Sequence, residues 1–167
     1  IAEVLELSVN EAADFFGAIP KIFRPLKALR DTGLGYLKLG QTSPTLSGGE
    51  AQRVRLVTHL LSGLSDNPAR LMSDSRKNLF LLEEPTIGLH MADVRRLVGV
   101  LQRLVDGGHT VLVIEHNLDL IAAADWVIDL GPEGGQGGGQ IIVQGPPPEI
   151  AKTRHSHTGR FLKRFFS

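Results

Sequence analysis

Leu79-Phe-Leu-Leu-Glu-Glu-Pro85 is a short apolar run that ends on two adjacent carboxylates and a proline. Four apolar residues closed by turn chemistry fit a strand buried on both faces. Further along, Val111-Leu-Val-Ile-Glu-His-Asn117 repeats the pattern, with a histidine after its acid. Between the two runs, Met91 to Val105 carries helical spacing and stops at Gly107-Gly108. Strand, helix and strand in that order predict a parallel pair with a right-handed crossover. The fold class expected is therefore α/β, with ligand-binding groups at the C-terminal ends of the strands.

Working outward, the C-terminal side predicts a short helix (Leu118 to Ala124) and strands at Trp126 to Leu130 and Gln140 to Gln144. These strands read as a hairpin on the sheet edge, joined by the glycine-rich turn around Gly134 to Gly139. After Glu149 the tail holds Lys152, Arg154, Arg160, Lys163 and Arg164 without an acid, a solvated basic end. On the other side, Ser62 to Asn78 is polar and turn-rich, a surface loop. A helix is expected from Glu50 to Leu61, with Val54, Val57, Leu60 and Leu61 on one side. Ser8-Val-Asn-Glu11 is a capping box opening a helix to about Ala18, with Ala12, Phe15 and Phe16 on its apolar face. The basic stretch Lys21 to Arg30 contains Pro25, which predicts a kink or two short helical pieces. Gly33 and Gly35 end it. The expected division is a helical segment, 1–45, followed by the α/β part, 46–167.

The 167 residues suit one domain. Net charge is zero, which excludes a global field drawing the chain to nucleic acid or membrane. Without cysteine there is no disulfide and no thiolate zinc site. No apolar run reaches membrane-spanning length. The chain opens on Ile1 instead of methionine, as expected of a piece of something longer.

Three places carry chemistry. In Leu46-Ser-Gly-Gly-Glu-Ala-Gln-Arg53, Ser47 and Glu50 form a second capping box. Gly48 and Gly49 let backbone N–H groups approach an anion at the helix start, so Ser47, Gly48, Gly49 and Glu50 are candidate phosphate-binding residues. The same residues also suit a capped surface helix. Glu83 and Glu84 leave a strand toward opposite faces, so they cannot share one job. One can hold a magnesium ion through its water shell while the other polarises an attacking water. His116 ends the next buried strand, on the same sheet edge. A weaker candidate is the basic series Lys21, Arg24, Lys27 and Arg30, which can meet DNA phosphates but fans across about half a helix.

In this order and spacing, these motifs resemble the ABC ATPase family: signature loop, Walker B strand, D-loop and switch histidine. Flanking phrases narrow the likeness to the UvrA family, the DNA-damage-sensing subunit of bacterial excision repair. They are Gly35-Tyr-Leu-Lys-Leu-Gly-Gln41, Pro85-Thr-Ile-Gly-Leu-His90, Ile114-Glu-His-Asn-Leu-Asp119, Ala124-Asp-Trp-Val-Ile-Asp-Leu-Gly-Pro-Glu-Gly-Gly135 and Ser156-His-Thr-Gly-Arg-Phe-Leu162. The resemblance implies the later part of the second of two ABC modules, a partial P-loop NTPase whose phosphate-loop strand lies upstream. No G-x-x-x-x-G-K-[ST] loop occurs in the chain.

By the same resemblance, ABC sites are composite. Ser47, Gly48 and Gly49 would contact a γ-phosphate held by another module. Glu84 would be the water-polarising base, Glu83 the magnesium-side acid and His116 the γ-phosphate sensor. The implied cofactors are ATP and Mg2+, with zinc only in the upstream part. Implied partners are the other ABC module or a dimer mate, DNA and a UvrB-like helicase subunit, in the cytoplasm and with no membrane. Two departures, Glu83 where the family has aspartate and the long Ser62 to Asn78 loop, point to a divergent branch. The alternatives are a transporter ATPase subunit and a non-catalytic interaction module lacking its P-loop.

Overall fold

The computed structural model describes residues 1–63, 77–133 and 137–166. The chain forms two compact units, Ile1–Ile114 and Glu115–Ser167. The helical segment 1–45 and both strands of the parallel pair lie in the first unit.

In the first unit, Ser8 separates α1 (Ala2–Glu6) from α2 (Val9–Phe15). The Ser8 hydroxyl accepts from the Glu11 N–H at 3.2 Å, and the Glu11 carboxylate accepts from the Ser8 N–H at 2.8 Å. This is the expected capping box. Ala12 and Ala13 are buried, while Phe15 stays exposed. The next helix, α3 (Pro20–Asp31), is a single element with Pro25 inside it, so of the two expected outcomes, a kink or two short pieces, the second did not form. Pro25 removes only the hydrogen bond to the Lys21 carbonyl, and Lys21 is exposed to water that can replace it. Leu26, Phe23 and Leu29 meanwhile hold the helix against the core. Gly33 ends the turn at φ 76°, and a Cβ there would lie 2.7 Å from Leu89 Cδ2. Glycine serves both the left-handed turn and the close approach.

The Gly35–Gly40 stretch folds back along the N-terminal segment: the Val9 N–H donates to Leu37 O at 2.8 Å and the Leu39 N–H to Leu7 O at 2.9 Å. Val9, Ala12, Ala13, Leu26, Leu34 and Leu37 form a core that also receives Leu46 and Val54. Val54 lies on α4 (Gly48–Gly63), which starts and ends two residues outside the expected helix and buries Leu56 and Val57. Of the expected surface loop, residues 64–76 lie outside the described residues.

Strands β1 (Leu79–Glu83) and β2 (Thr110–Ile114) pair in parallel, from Leu79 opposite Thr110 to Glu83 opposite Ile114. Between them α5 (Met91–Asp106) buries Val94, Leu97, Val100, Leu101 and Leu104, one apolar face at helical spacing. The strands are not buried on both faces, which corrects the expectation. Leu79 and Leu81 are 61% and 64% exposed, and Leu112 and Ile114 are 52% and 61% exposed. Partners in register share a face, so these residues form one open apolar side. Among the described residues of this unit, no element covers it.

In the second unit, the Asn117 side chain caps α6 (Leu118–Ala122) by accepting from the Asp119 N–H at 3.0 Å and the Leu120 N–H at 3.3 Å. Strands β3 (Val127–Gly131) and β4 (Gln140–Gly145) form the expected antiparallel hairpin. It is a two-stranded sheet of its own, which corrects its expected place on the edge of the β1–β2 sheet. The basic tail is also more than a solvated end. It folds into α7 (Pro147–Lys152) and α8 (His157–Phe166), which bury Ile150, Ala151 and Leu162 against Ile121, Val127 and Val143. The Asp129 carboxylate accepts from Ser156 Oγ at 2.6 Å and Thr158 Oγ1 at 2.8 Å, pinning the start of α8. A Cβ on Gly159 would collide with the Ile150 carbonyl oxygen, so only glycine lets α7 and α8 meet. No helix among the described residues is long and apolar enough to cross a membrane.

Candidate functional site

The first candidate group sits where α4 begins. The Ser47 N–H donates to Glu50 Oε2 at 2.6 Å, and the Glu50 N–H donates to Ser47 Oγ at 3.3 Å. The other Glu50 oxygen accepts from the Tyr36 hydroxyl. That bond and the Ser47 N–H hold the Glu50 carboxyl below the usual carboxylate range. Partial desolvation of its hydroxyl, followed by the bond to Glu50, raises the Tyr36 phenol, although the side chain as a whole is exposed. Glu50 is thus ionised at neutral pH and both of its oxygens face the chain's own donors, so it shapes the loop from within. Gly48 and Gly49 have ordinary negative-side φ values. A Cβ on Gly48 would meet nothing within 4 Å, and one on Gly49 only Arg53 Nη1 at 3.3 Å. The fold itself does not demand glycine there. Bare backbone at a helix start instead leaves its free N–H groups open to an anion.

The second group is the end of β1. Glu83 is exposed, on the open face that carries Leu79 and Leu81. Among the described residues, no side chain pairs with its carboxylate. Glu84 is half-buried and has φ 44°, the left-handed region, although it is not glycine. Such a backbone costs on the order of 1–3 kcal/mol and persists only when its surroundings enforce it. Its N–H remains bonded to Ile114 O at 2.8 Å, and its carbonyl accepts from the Ile87 N–H at 3.1 Å.

Two residues of α4 supply further support. Arg53, only 3% exposed, donates through Nη1 to Pro85 O at 3.0 Å and to Ile87 O at 3.5 Å. The Gln52 amide lies against the backbone of Glu83. Oriented to satisfy both groups, it donates to Glu83 O at 3.2 Å and accepts from Glu83 N at 3.1 Å. Tyr36, Gln52 and Arg53 are functional candidates that reading the sequence missed. Gln52 and Arg53 stand inside the phrase that pointed to phosphate, yet their partners lie in another motif.

Because Glu83 is opposite Ile114, the carboxylate strand and the switch strand end together. His116 follows two residues later, in the second unit, and is exposed. Glu115 Oε2 accepts from the backbone N–H groups of His116 (2.8 Å) and Asn117 (3.0 Å), which fixes the turn carrying the imidazole. An open cleft of about 350 Å³ is lined there by Glu115, His116, Leu118, Ile121, His157, Thr158 and Phe161. The basic series on α3 is partly spent in ion pairs. Lys27 pairs with Asp31 at 2.6 Å and Arg30 with Asp14 at 3.4 Å. Among the described residues, no cluster of three or more His, Cys, Asp or Glu can hold a metal alone. That is compatible with magnesium, which keeps several waters and binds through one or two carboxylates together with substrate phosphates.

No protein-family model matches the chain. The UvrABC system protein A of Aquifex aeolicus is 54% identical over 165 residues, 99% of this chain and 17% of that protein. That of Pasteurella multocida is 56% identical over 163 residues, 98% of this chain and 16% of that protein. The chain carries a UvrA-family segment. It spans 16–17% of the length of these curated relatives. The crystal structure of UvrA2 from Deinococcus radiodurans matches with a TM-score of 0.78 at 46% identity, covering 98% of this chain and 19% of that one. The chain shares the α/β fold of that UvrA2 structure over 98% of its length, with the parallel β1–β2 pair that a partial ATPase fold of the expected kind requires.

Proposed function

We propose that this segment supplies parts of two composite ATP sites in a UvrA-type protein that recognises DNA damage in nucleotide excision repair. The observation that carries this is the joining, by α4, of the Ser47–Gly49 loop to the backbone around Glu83 and Glu84. It occurs in a chain that is 54–56% identical to UvrA proteins.

At one site, the Ser47 hydroxyl and the N–H groups of Gly48 and Gly49 donate to the γ-phosphate of ATP held by another module. Charge-assisted bonds of this kind stabilise the phosphoryl oxygens as charge redistributes. At the other, Glu84 would orient a water and take its proton as the water attacks the γ-phosphorus and the bond to the bridging oxygen breaks, with ADP as the leaving group. Glu83 would hold a magnesium ion through its water shell, and His116 would sense the γ-phosphate. Magnesium, when bound, supplies charge neutralisation between the phosphates. DNA, a UvrB-like helicase subunit and a second ABC module are the partners that the UvrA relationship suggests, with a cytoplasmic location. Lys21, Arg24, Lys27 and Arg30 are the proposed, secondary DNA contacts. Zinc belongs to regions outside this chain. Without a phosphate-binding loop in its 167 residues, the chain alone is proposed to be inactive.

The test is Glu84→Gln in the full-length protein. ATP binding should persist while turnover falls about 10²–10⁴-fold, the usual contribution of a general base. Full turnover in Glu84→Gln, with loss in Glu83→Gln, would reverse the two roles.

A further inference from the structure

In the β1–β2 pair, the backbone of even-numbered β1 residues faces β2. Asn78 O accepts from the Thr110 N–H at 2.9 Å, and the Glu84 N–H donates to Ile114 O at 2.8 Å. Strand alternation turns the N–H and C=O of Glu83 to the opposite edge. There, the Gln52 carboxamide meets both groups, at 3.1 and 3.2 Å. A carboxamide presents one donor and one acceptor side by side, as a peptide group does. An ionised glutamate has only acceptors and would face the Glu83 carbonyl unfavourably, and methionine keeps the shape without either bond.

We infer that Gln52 is a positioning residue for the Glu83–Glu84 pair, standing in for a strand's peptide group at that rung. The inference rests on the proposed role of the pair in ATP hydrolysis. Glu84 is then bracketed by three anchors: Gln52 on the preceding residue, β2 on its own N–H and Arg53 on the carbonyl of Pro85. These anchors enforce the left-handed backbone at φ 44° and so set where the Glu84 carboxylate points. Gln52 reaches the chemistry only through backbone and makes no contact with nucleotide.

The experiment uses the full-length UvrA protein carrying this segment, with Mg-ATP as substrate. Gln52→Met should lower kcat roughly 10–100-fold, the scale of a sub-ångström to ångström misplacement, and leave KM within about twofold. In a Glu84→Gln background the same change should add less than about twofold, because both act on one step. Wild-type kcat in Gln52→Met overturns the inference, as does an equal, independent loss in the Glu84→Gln background. Should Gln52→Met fail to fold, Gln52→Asn keeps the amide but withdraws it by one methylene. It should show the same kcat loss at constant KM, and wild-type turnover there also overturns the inference. If Glu84→Gln alone retains turnover, the base assignment has failed. The cycle is then run with Glu83→Gln, where non-additivity supports positioning of the pair and additivity overturns it.

Discussion

At the start of α4 the chain is held by its neighbours in sequence, and at the end of β1 it is held by residues far away. Ser47 and Glu50 bond reciprocally three positions apart, in an unstrained helix start. Glu84 sits in a left-handed backbone, and Arg53 reaches the adjoining turn from 32 and 34 positions away. A cap can form as soon as its helix forms. A strained turn needs the finished tertiary structure, so the place of the carboxylates depends on the seating of α4. The loop proposed to meet phosphate is therefore a local device, and the proposed catalytic pair is a dependent one. One helix carries the first and holds the second.

Removing the distant support should have the larger effect on the 167-residue chain. Arg53→Met keeps much of the buried stem and loses the charged donor to Pro85 O and Ile87 O. Hydrogen bonds to charged groups contribute about 1.5–3 kcal/mol, and that is the expected fall in unfolding free energy. A denaturant titration should show a lower midpoint with an unchanged slope. A loss below about 0.5 kcal/mol, the range of ordinary surface changes, would mean that the turn after β1 holds itself. The local cap should matter less. Ser47→Ala removes one capping oxygen, worth typically about 1 kcal/mol. If Ser47→Ala cost more than Arg53→Met, the ranking of local and distant support would be reversed.

The same contrast explains what was legible in the sequence. Both capping boxes follow from a spacing of three residues and the parallel pair from the strand–helix–strand order, and they formed where expected; the hairpin formed at its expected residues but as a sheet of its own. Ser47, Gly48, Gly49, Glu83 and Glu84 could be picked out because each motif is contiguous. Gln52 and Arg53 could not be assigned, since their partners are fixed only by the packing of α4 on β1. The tail misled because its charges were read and its apolar spacing was not. Leu162 is fully buried and Phe165 packs beside it, on a helix whose charged residues face water. The apolar runs of β1 and β2 misled in the other direction. A run of four apolar residues says that two faces avoid water, but not which chain covers each, and here the Leu81 and Leu112 face is open.

The smallest expected effect concerns Tyr36, which joins the local device to the folded-back Gly35–Gly40 stretch. Its hydroxyl is the leading cause of the lowered Glu50 pKa. A carboxyl depressed in the folded state stabilises the fold above its ordinary pKa, and that stabilisation is lost as pH falls through the folded value. Tyr36→Phe should therefore reduce stability slightly at neutral pH, with a gap that narrows as acid protonates Glu50. Tyr36 is 58% exposed, so solvent screening keeps the gap small. The phenol adds the opposite sign at the other end of the scale. Raised in the folded state, it favours folding below its ordinary pKa and loses that contribution as pH climbs above it, so the gap narrows there too. Denaturant midpoints of wild type and Tyr36→Phe, compared at neutral pH and at about pH 3.5, below the ordinary carboxylate range, measure this directly. An equal gap at both pH values would mean that Tyr36 acts through its ring and not through the Glu50 carboxylate. The cap at Ser47 would then stand on its two residues alone, which would make the contrast with Glu84 sharper still.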